Sequence, residues 1–411
     1  MKPDVGTAML PRDRLDPREP TGLILCGMGG PDGPESVGPF LRNLFNDPAV
    51  LPLPAPLARL VGGLIARRRT RRVRERYASL GCGGGSPQLQ WTRMQAQRLG
   101  ELLAARGLNV NATPAMRYWH PFADEALAAL GRPALRQYLV VPTYPQYSAA
   151  TSGSVLAAVQ RAIRLSAPDA RLHVVPDWHL LPGYLDALVR QAEPILQRWA
   201  TAGHPSSECA LLPLAHSLPV RFVRRGDPYL AQTRATVAAL RARLAERLTG
   251  SLAGRLMERP AERLTGAPDQ LAAWWDALPG GGQPLLAFQS KVGPVRWLEP
   301  DSVAETLRLI QAGCRRLLVL PISFTCEHIE TLHELDHELA RIAREAGVLE
   351  FVRGAALNMD RSWLESLASH LAETAFGEGD EVERPVASSN AGLMHPGILS
   401  PISPDREASR A

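Results

Sequence analysis

The sequence predicts an α/β protein made of two doubly wound parallel-sheet domains. Short apolar runs alternate with longer amphipathic segments along most of the chain, which is typical of a parallel sheet covered by helices. The βα units are too many for one small sheet. A length of 411 residues also suggests two or three domains at about 150 residues each. We expect the two domains to meet near residue 178.

The composition is that of a globular protein with a basic surface. Apolar residues make up 45% of the chain and charged residues 21%, which excludes a mostly disordered protein. Lysine and arginine outnumber the acidic residues by 46 to 41, a net charge of +5, and Lys2 and Lys291 are the only lysines. This balance favours nucleic acid, anionic lipid or a small anion as partner.

Strands and helices are predicted from length and periodicity. Val303, Leu307 and Ile310, for example, share one face of a helix. The predicted strands are Gly22–Cys26, Tyr138–Val141, His173–Pro176, Ala210–Leu214, Leu285–Phe288 and Arg316–Ile322. The predicted helices include Gln88–Arg106, Val155–Leu165, Tyr184–Ala200, Ser302–Ala312 and His328–Ala346.

These elements divide the chain into two domains and two tails. The predicted parts are a loose tail 1–20, an N-terminal domain 21–177 with an apolar lip 48–66, a C-terminal domain 178–356 with an insertion 248–282, a returning helix 357–378, and a loose tail 379–411. The hexapeptide AERLTG occurs twice, at Ala245–Gly250 and Ala261–Gly266, so we expect the insertion to be a helical excursion that activity does not need.

No segment has the length and composition of a membrane span or of a secretory signal. The longest apolar stretch, Leu51–Ala66, contains three prolines and an arginine and is shorter than the ~20 residues that a spanning helix needs. The first residues are charged and lack an apolar core, so we expect a cytoplasmic protein. Five cysteines in 411 residues do not make a disulfide framework.

Two glycine- or histidine-containing segments follow predicted strands, where ligands of open α/β sheets bind. The segment Gly-Met-Gly-Gly-Pro, residues 27–31, allows close backbone approach but matches no nucleotide fingerprint, and Met28 could equally be core filler. His216 is suited to be a general base, although a lone histidine is more often structural. Ser217 beside it is not in a nucleophile elbow, which argues against serine hydrolysis.

The segment after Arg316–Ile322 carries a row of carboxylates. Glu330, Glu334 and Glu338 recur every four residues and would share one helix face with little drift. Like charges at this spacing favour a bound cation or protons, and the alternative is a solvated acidic face. His333 and His337 form a second pair one residue out of step, which does not match a zinc-protease motif.

An arginine-rich segment follows the apolar lip. Residues 66–76, ARRRTRRVRER, hold the highest density of arginine in the chain, and Tyr77 is the only aromatic residue nearby. Nucleic-acid binding would need more aromatic or groove-reading partners. An apolar segment beside a basic one is better suited to a lipid surface or an amphipathic anion, with a solvated helix face as the alternative.

Six segments together resemble the ferrochelatase family, in the same order along the chain. They are GMGGP, RYWHP, YPQYSAATSGS, LAHSLP, FQSKVGPVRWLEP and PISFTCEHIETLHELD. The resemblance covers roughly residues 21–375. It implies two α/β domains with a porphyrin cleft between them, and an enzyme that inserts ferrous iron into a porphyrin, a lyase of haem biosynthesis.

The resemblance also implies roles for individual residues. It implies that His216 accepts a pyrrole proton or binds the metal, that Glu330 and His328 are its partners, and that Glu334 and Glu338 relay protons or metal. The residues implied to contact the porphyrin or its propionates are Met28, Arg71, Arg72, Tyr77, Ser86, Arg117, Tyr118, Ser217, Lys291 and Trp297. The lip would contact lipid, so the resemblance adds a peripheral position at the inner face of the membrane. It implies no nucleic-acid partner.

This chain departs from the family pattern in three places. Glu327 stands where aspartate is usual, and the segment LGCGGGSP is about two residues longer, so the resemblance does not fix the register of Arg71 and Tyr77. Family members with an iron–sulfur cluster supply its cysteines from a C-terminal extension or an internal segment. Here the cysteines, Cys26, Cys82, Cys209, Cys314 and Cys326, show no CxxC spacing and none follows residue 376, so we expect no iron–sulfur cluster. We also expect no other permanently bound cofactor.

Three alternative functions remain open from the sequence. The loop GMGGP has no tyrosine, which favours protoporphyrin over coproporphyrin III as substrate. The alternatives are a coproporphyrin III ferrochelatase, a cobalt or nickel chelatase, and a non-catalytic haem- or metal-delivery protein of the same fold.

Overall fold

The computed structural model describes residues 10–51, 53–131, 135–258, 268–279, 285–291, 293 and 295–377. Residues 1–9 of the predicted N-terminal tail and the whole predicted C-terminal tail 379–411 lie outside this part of the chain. Residues 10–20 are expected to be loose, but Leu15 anchors this segment to the fold. Leu15 is buried and its N–H donates to the Ala375 carbonyl at 2.8 Å, because apolar Leu15 fills a gap in the core.

The first sheet has four parallel strands in the order β2-β1-β3-β4. Its strands are β1 (Thr21–Gly27), β2 (Val110–Met116), β3 (Gln137–Pro142) and β4 (Arg171–Val174). Strand β1 is central and buried along its whole length, which is why its sequence is a continuous apolar run. The sequence reading missed β2, an edge strand containing Pro114.

The second sheet repeats this arrangement with the order β6-β5-β7-β8. Its strands are β5 (Cys209–His216), β6 (Ala287–Gln289), β7 (Arg316–Pro321) and β8 (Glu350–Arg353). The two sheets confirm the predicted fold class, two doubly wound parallel sheets. Strand β8 was also missed, because it is a four-residue edge strand with two charged residues.

Helices cover both sheets. In chain order they are α1 (Val37–Phe45), α2 (Ala55–Ala78), α3 (Gln88–Ala104), α4 (Ala123–Ala129), α5 (Ser152–Ser166), α6 (Pro182–Thr201), α7 (Val220–Val223), α8 (Tyr229–Glu258), α9 (Pro268–Asp276), α10 (Ser302–Gln311), α11 (Ile329–Leu332), α12 (Ala340–Glu345) and α13 (Arg361–Leu371). Short 3-10 turns lie at Pro34–Ser36 and Ser206–Glu208. Residues Ala372–Phe376 continue α13 as a wider π-helical turn.

The apolar lip and the arginine-rich segment form one helix. Residues after Pro56 contain no helix breaker other than paired glycines, so α2 runs without interruption from the lip into the basic segment. Leu57, Leu60 and Leu64 are exposed on α2, Leu60 by 73%. Among the described helices, none combines the length and the apolar content that crossing a bilayer requires.

The predicted helix over residues 328–346 is divided into three parts. Helix α11 is followed by a π-helix over Glu334–Leu339 and then by α12. In the π-helix the Glu338 N–H bonds back to the His333 carbonyl at 3.0 Å, five residues earlier. Glu334, Asp336 and Glu338 lie within this π-helix, so its wider turn sets the relative directions of their carboxylates.

The predicted insertion is helical where it is described, but it is not a detached excursion. Helix α8 extends to Glu258, and Leu248 on it is fully buried in the core. Trp275 and Leu278, after the undescribed residues 259–267, are buried in the same core. The segment therefore contributes apolar packing, and the expectation that activity does not need it stays a prediction. Its second AERLTG copy lies outside the described residues.

Candidate active site

A cavity of about 450 Å³ opens at the carboxyl ends of the strands of both sheets. Its wall combines α1, α2 and the loop after β1 on one side with the loops after β5, β6 and β7 on the other. Most of the lining surface is apolar, with a few convergent polar groups, as is usual for sites that bind a large organic ligand.

His216 is the last residue of β5 and lines this cavity. Its Nδ1 lies 2.7 Å from the carbonyl oxygen of Ser217, which can only accept, so Nδ1 carries the proton. The Nε2 of the neutral ring is therefore unprotonated and can accept a proton or bind a metal. Tyr229 donates to the His216 carbonyl at 2.8 Å and fixes the end of the strand.

Glu330 and His328 follow β7, in the loop and first turn of α11. The Glu330 Oε2 atom is 3.4 Å from Nδ1 of His328. Burial lowers the pKa of His328, so its ring is neutral at physiological pH. Phe324 packs edge-to-face with both histidines, with its ring centroid 4.2 Å from that of His328 and 6.3 Å from that of His216. Gln289 at the end of β6 donates to the Glu330 carbonyl at 2.9 Å.

Glu334 is held by the turn that follows β6. The backbone N–H of Ser290 donates to Oε1 at 2.7 Å and its hydroxyl donates to Oε2 at 2.5 Å. Ser290 has φ of 66°, a left-handed conformation that costs free energy in a non-glycine residue and here directs its N–H at the carboxylate. Burial and the nearby Glu330 charge raise the pKa of Glu334, against the two hydrogen bonds from Ser290.

Glu338 at the end of the acidic row is already paired. It accepts from Arg76 of α2 at 2.6 Å and lies 3.2 Å from Nε2 of His333. The other ring nitrogen of His333 is 3.1 Å from the Ser79 hydroxyl at the end of α2. These contacts join the lip helix α2 to the π-helix. Glu334 is therefore a buried carboxyl, whereas the charge of Glu338 at the other end of the acidic row is balanced by Arg76.

Arg117 and Tyr118 share a buried carboxylate. The Arg117 guanidinium lies 2.8 Å from Oδ2 of Asp47, and the Tyr118 hydroxyl and the Ser154 hydroxyl donate to the same oxygen at 2.9 and 2.6 Å. Asp47 is only 5% exposed, so the ion pair neutralises it where an unpaired charge would be costly. Arg117 lines the cavity with most of its charge already balanced.

Two of the three arginines predicted to contact the porphyrin lie outside the cavity. Arg71 and Arg72 are exposed, and Arg71 pairs with Glu75 on the outer face of α2. The residues of α2 that line the cavity are Arg69, Val73, Arg76 and Tyr77. Counted back from Tyr77, these positions follow helical spacing, a signal that could have found them in the sequence.

The remaining predicted contact residues all line the cavity: Met28, Tyr77, Ser86, Ser217, Lys291 and Trp297. Lys291 pairs with Asp301 at 3.1 Å, which reduces its ability to hold a ligand anion. The buried indole N–H of Trp297 has no hydrogen-bond partner among the described residues. Gly30 must be glycine for a steric reason, because a Cβ there would lie 2.4 Å from that of Ser86.

A partly buried arginine outside the cavity fixes the segment that carries the acids. Arg353 at the end of β8 forms a two-point ion pair with Asp336 of the π-helix, at 2.6 and 2.8 Å. It also donates to Glu327 at 2.9 Å, immediately before His328. The Arg353 guanidinium keeps the pKa of Glu327 below its usual value despite burial. The Arg353 side chain thus holds both ends of the segment 327–336 in place.

Among the described residues, no group of three or more histidine, cysteine, aspartate or glutamate side chains is arranged to hold a metal ion.

These features define an α/β protein with two parallel sheets and a histidine- and glutamate-lined cleft for a large organic ligand. A ferrochelatase family model matches residues 20–375. A ferrochelatase of Synechococcus sp. is 36% identical over 369 residues, covering 88% of this chain and 84% of the relative. That of Thermosynechococcus vestitus is 36% identical over 358 residues (86% and 82%), and that of Gloeobacter violaceus 34% over 359 residues (86% and 97%). The chain belongs to the ferrochelatase family.

Proposed function

We propose that this protein inserts ferrous iron into protoporphyrin IX, forming protohaem and releasing two protons. The observation that carries the proposal is the state of His216. Its Nδ1–H is committed to a carbonyl, which leaves Nε2 as a free acceptor in the cavity. Iron and porphyrin are both substrates, and no resident cofactor is required.

The proposed proton path starts at His216. A free-base porphyrin carries two N–H protons that must leave as the metal enters, and distortion of the ring exposes its nitrogen lone pairs. Nε2 of His216 takes one proton, and the Glu330–His328 pair takes the other. Glu334, whose raised pKa makes it a good proton carrier, passes protons toward the cluster around Glu338.

Arg69 replaces Arg71 and Arg72 as the proposed contact of a porphyrin propionate. It lines the cavity, stacks over Phe45 at 5.7 Å, and pairs with no carboxylate among the described residues. Its pKa is lowered by burial and by the neighbouring Arg76 and Arg72, so a bound carboxylate would relieve both effects.

We also propose a peripheral contact with membrane lipid through the exposed leucines of α2. Leu57, Leu60 and Leu64 lie on the same helix as the cavity-lining Arg69 and Arg76, so this contact would lie beside the cleft opening. An amphipathic substrate could then pass between lipid and cleft without crossing water.

The direct test is anaerobic Fe²⁺ insertion by purified protein, with protoporphyrin IX and coproporphyrin III offered in parallel and followed by absorbance. Faster metallation of protoporphyrin supports the proposal. A preference for coproporphyrin III would keep the reaction and change the substrate. Tight haem binding without metallation of either ring would indicate a haem-delivery protein.

His216→Ala should abolish iron insertion while the porphyrin still binds, because the variant loses the acceptor and keeps the apolar cleft. Quenching of porphyrin fluorescence measures porphyrin binding, and the change of absorbance with time measures iron insertion. His120→Ala is the matched control, since His120 is exposed, pairs with Glu125 and does not line the cavity. Full activity of the His216 variant would rule out the proposed base.

A further inference from the structure

A second cavity, of about 430 Å³, lies next to the substrate cavity and is surrounded by arginines. Its lining residues are Pro219, Val220, Arg221, Arg224, Arg225, Val295 and Arg296. Pro219 and Arg221 line both cavities, so the second cavity is at the rim of the cleft. None of the residues assigned to iron insertion above lies in it.

Backbone contacts hold the two sides of this arginine pocket together. Pro219 and Trp297 form an antiparallel bridge, and the Val220 N–H donates to the Arg296 carbonyl at 2.9 Å. Leu298 donates to the Leu218 carbonyl at 3.0 Å in the same ladder. The arginines of α7 and Arg296 are therefore kept close by main-chain geometry, even though their side chains are long.

The pocket carries positive charge without carboxylates to balance it. Among the described residues, none of Arg221, Arg224, Arg225 and Arg296 forms an ion pair with an acidic side chain. The pKa of Arg221 is lowered by partial burial and by the charge of Arg225. The positive charges of these four arginines repel one another, so binding an anion in the pocket lowers the electrostatic free energy.

We propose that the arginine pocket binds the phosphate of an anionic phospholipid. This inference rests on the lipid contact proposed for α2 and gives it a second, electrostatic component on the C-terminal half of the cleft rim. Guanidinium groups match phosphate oxygens in two-point hydrogen bonds. Val295, 41% exposed at the same rim, offers an apolar surface beside the charges. A cleft mouth with exposed leucines on α2 and arginines at α7 matches the acyl and headgroup layers of an anionic membrane.

The test compares binding to vesicles of phosphatidylcholine alone with binding to vesicles containing phosphatidylglycerol. The variant is Arg224→Gln/Arg225→Gln/Arg296→Gln, which leaves the substrate-lining Arg221 intact. At roughly five-fold per surface arginine, the triple variant should bind the anionic vesicles about 100-fold more weakly than the unmodified protein. Added salt should weaken the binding of the unmodified protein more than that of the variant.

The control has the same change of net charge. Arg71→Gln/Arg341→Gln/Arg361→Gln removes three exposed arginines that pair with neighbouring glutamates on their own helices. Equal losses in the two triple variants would show a net-charge effect only and overturn the proposal. So would unchanged binding of the pocket variant.

Two further arms separate the possible sources of the anion. Calorimetric titration with inorganic phosphate tests a soluble ligand. Pocket-dependent phosphate binding without preference for anionic vesicles would assign the pocket to a free phosphate and overturn the lipid assignment.

Iron insertion with detergent-dispersed porphyrin is measured on the same proteins. A porphyrin KM raised in the pocket variant would assign the arginines to substrate carboxylates, and absence of turnover in the unmodified protein would contradict the proposed reaction without affecting the vesicle result.

Discussion

One or two neighbouring groups determine the protonation and hydrogen bonding of individual side chains in the cleft. A carbonyl fixes the tautomer of His216, and one serine holds both oxygens of Glu334. The sequence identified these residues because they lie directly after strands or at helical spacing. It could not show that Glu338 and Lys291 are already paired, because their partners Arg76 and Asp301 are brought close only by folding or turn geometry.

Arg69→Gln should raise the porphyrin KM about tenfold while leaving kcat nearly unchanged, since it removes a charge-assisted contact made equally by bound substrate and transition state. Arg71→Gln on the outer face of the same helix is the control and should change neither constant. Steady-state insertion rates over a range of porphyrin concentrations give both. A raised porphyrin KM in the Arg71 variant, with an unchanged KM in the Arg69 variant, would assign the propionate contact to Arg71.

Glu334 makes stability depend on pH in a defined direction. Its folded-state pKa is raised, so the folded protein binds more protons than the unfolded chain between the two pKa values. Its stabilising contribution is therefore present below the ordinary glutamate range and is lost as pH rises through the folded-state pKa. Glu334→Gln removes this loss, and its melting temperature relative to the unmodified protein should increase as pH rises. Thermal melts at pH values below and above the ordinary glutamate range measure this difference in melting temperature, with Glu345→Gln as an exposed control. A difference that does not change with pH would contradict the raised pKa of Glu334.

Elements differ in how well the sequence predicted them. Central strands β1, β3, β5 and β7 are continuous apolar runs and were predicted, whereas edge strands β2 and β8 contain proline or charged residues and were missed. The sequence predicts a lip and a separate basic segment where the structure has the single helix α2, because the composition changes midway although the backbone does not. It predicts a regular helix where the structure has the π-helix, since the wider turn depends on tertiary contacts of Glu334 and Asp336 that no local pattern reveals.

Arg353→Gln should destabilise the fold by about 3 kcal/mol, because it leaves Asp336 and buried Glu327 without their cation. We expect kcat for iron insertion to fall while the porphyrin KM stays the same, since the acids move and the porphyrin walls do not. Arg353→Lys should recover part of the stability and less of the kcat, because lysine cannot form the two-point pair. Urea unfolding and kinetics measure the two effects. Equal recovery of both by lysine would mean that Arg353 acts only on stability, and Arg341→Gln is the surface control.

At the scale of the whole molecule, one apolar core runs under both sheets. It includes Leu25 and Val141 from the first sheet and Leu211 and Leu320 from the second, with α6 and α13 between them. Two domains were predicted from the number of βα units, and two sheets are present. The periodicity of single segments could not show that their cores are continuous, because each pattern reports only that a face is buried.

Trp275→Ala should destabilise the protein by about 3 kcal/mol, since it removes a buried indole that also stacks with Arg241 at 4.8 Å. Leu349→Ala, at a residue 76% exposed, is the control and should have little effect. Urea unfolding midpoints compare the two. An unchanged midpoint for the tryptophan variant would contradict the conclusion that this segment stabilises the core.

The continuous core has a consequence for how the chain could be cut or assembled. A fragment ending near residue 178 would keep the first sheet but lose α6, whose buried Leu188 and Trp199 belong to the shared core. Each fragment would then expose a broad apolar face to water and to other fragments. Joining or recombining such halves with those of a relative therefore requires matched α6 surfaces, and the interface, more than the sheets, limits which chimaeras can fold.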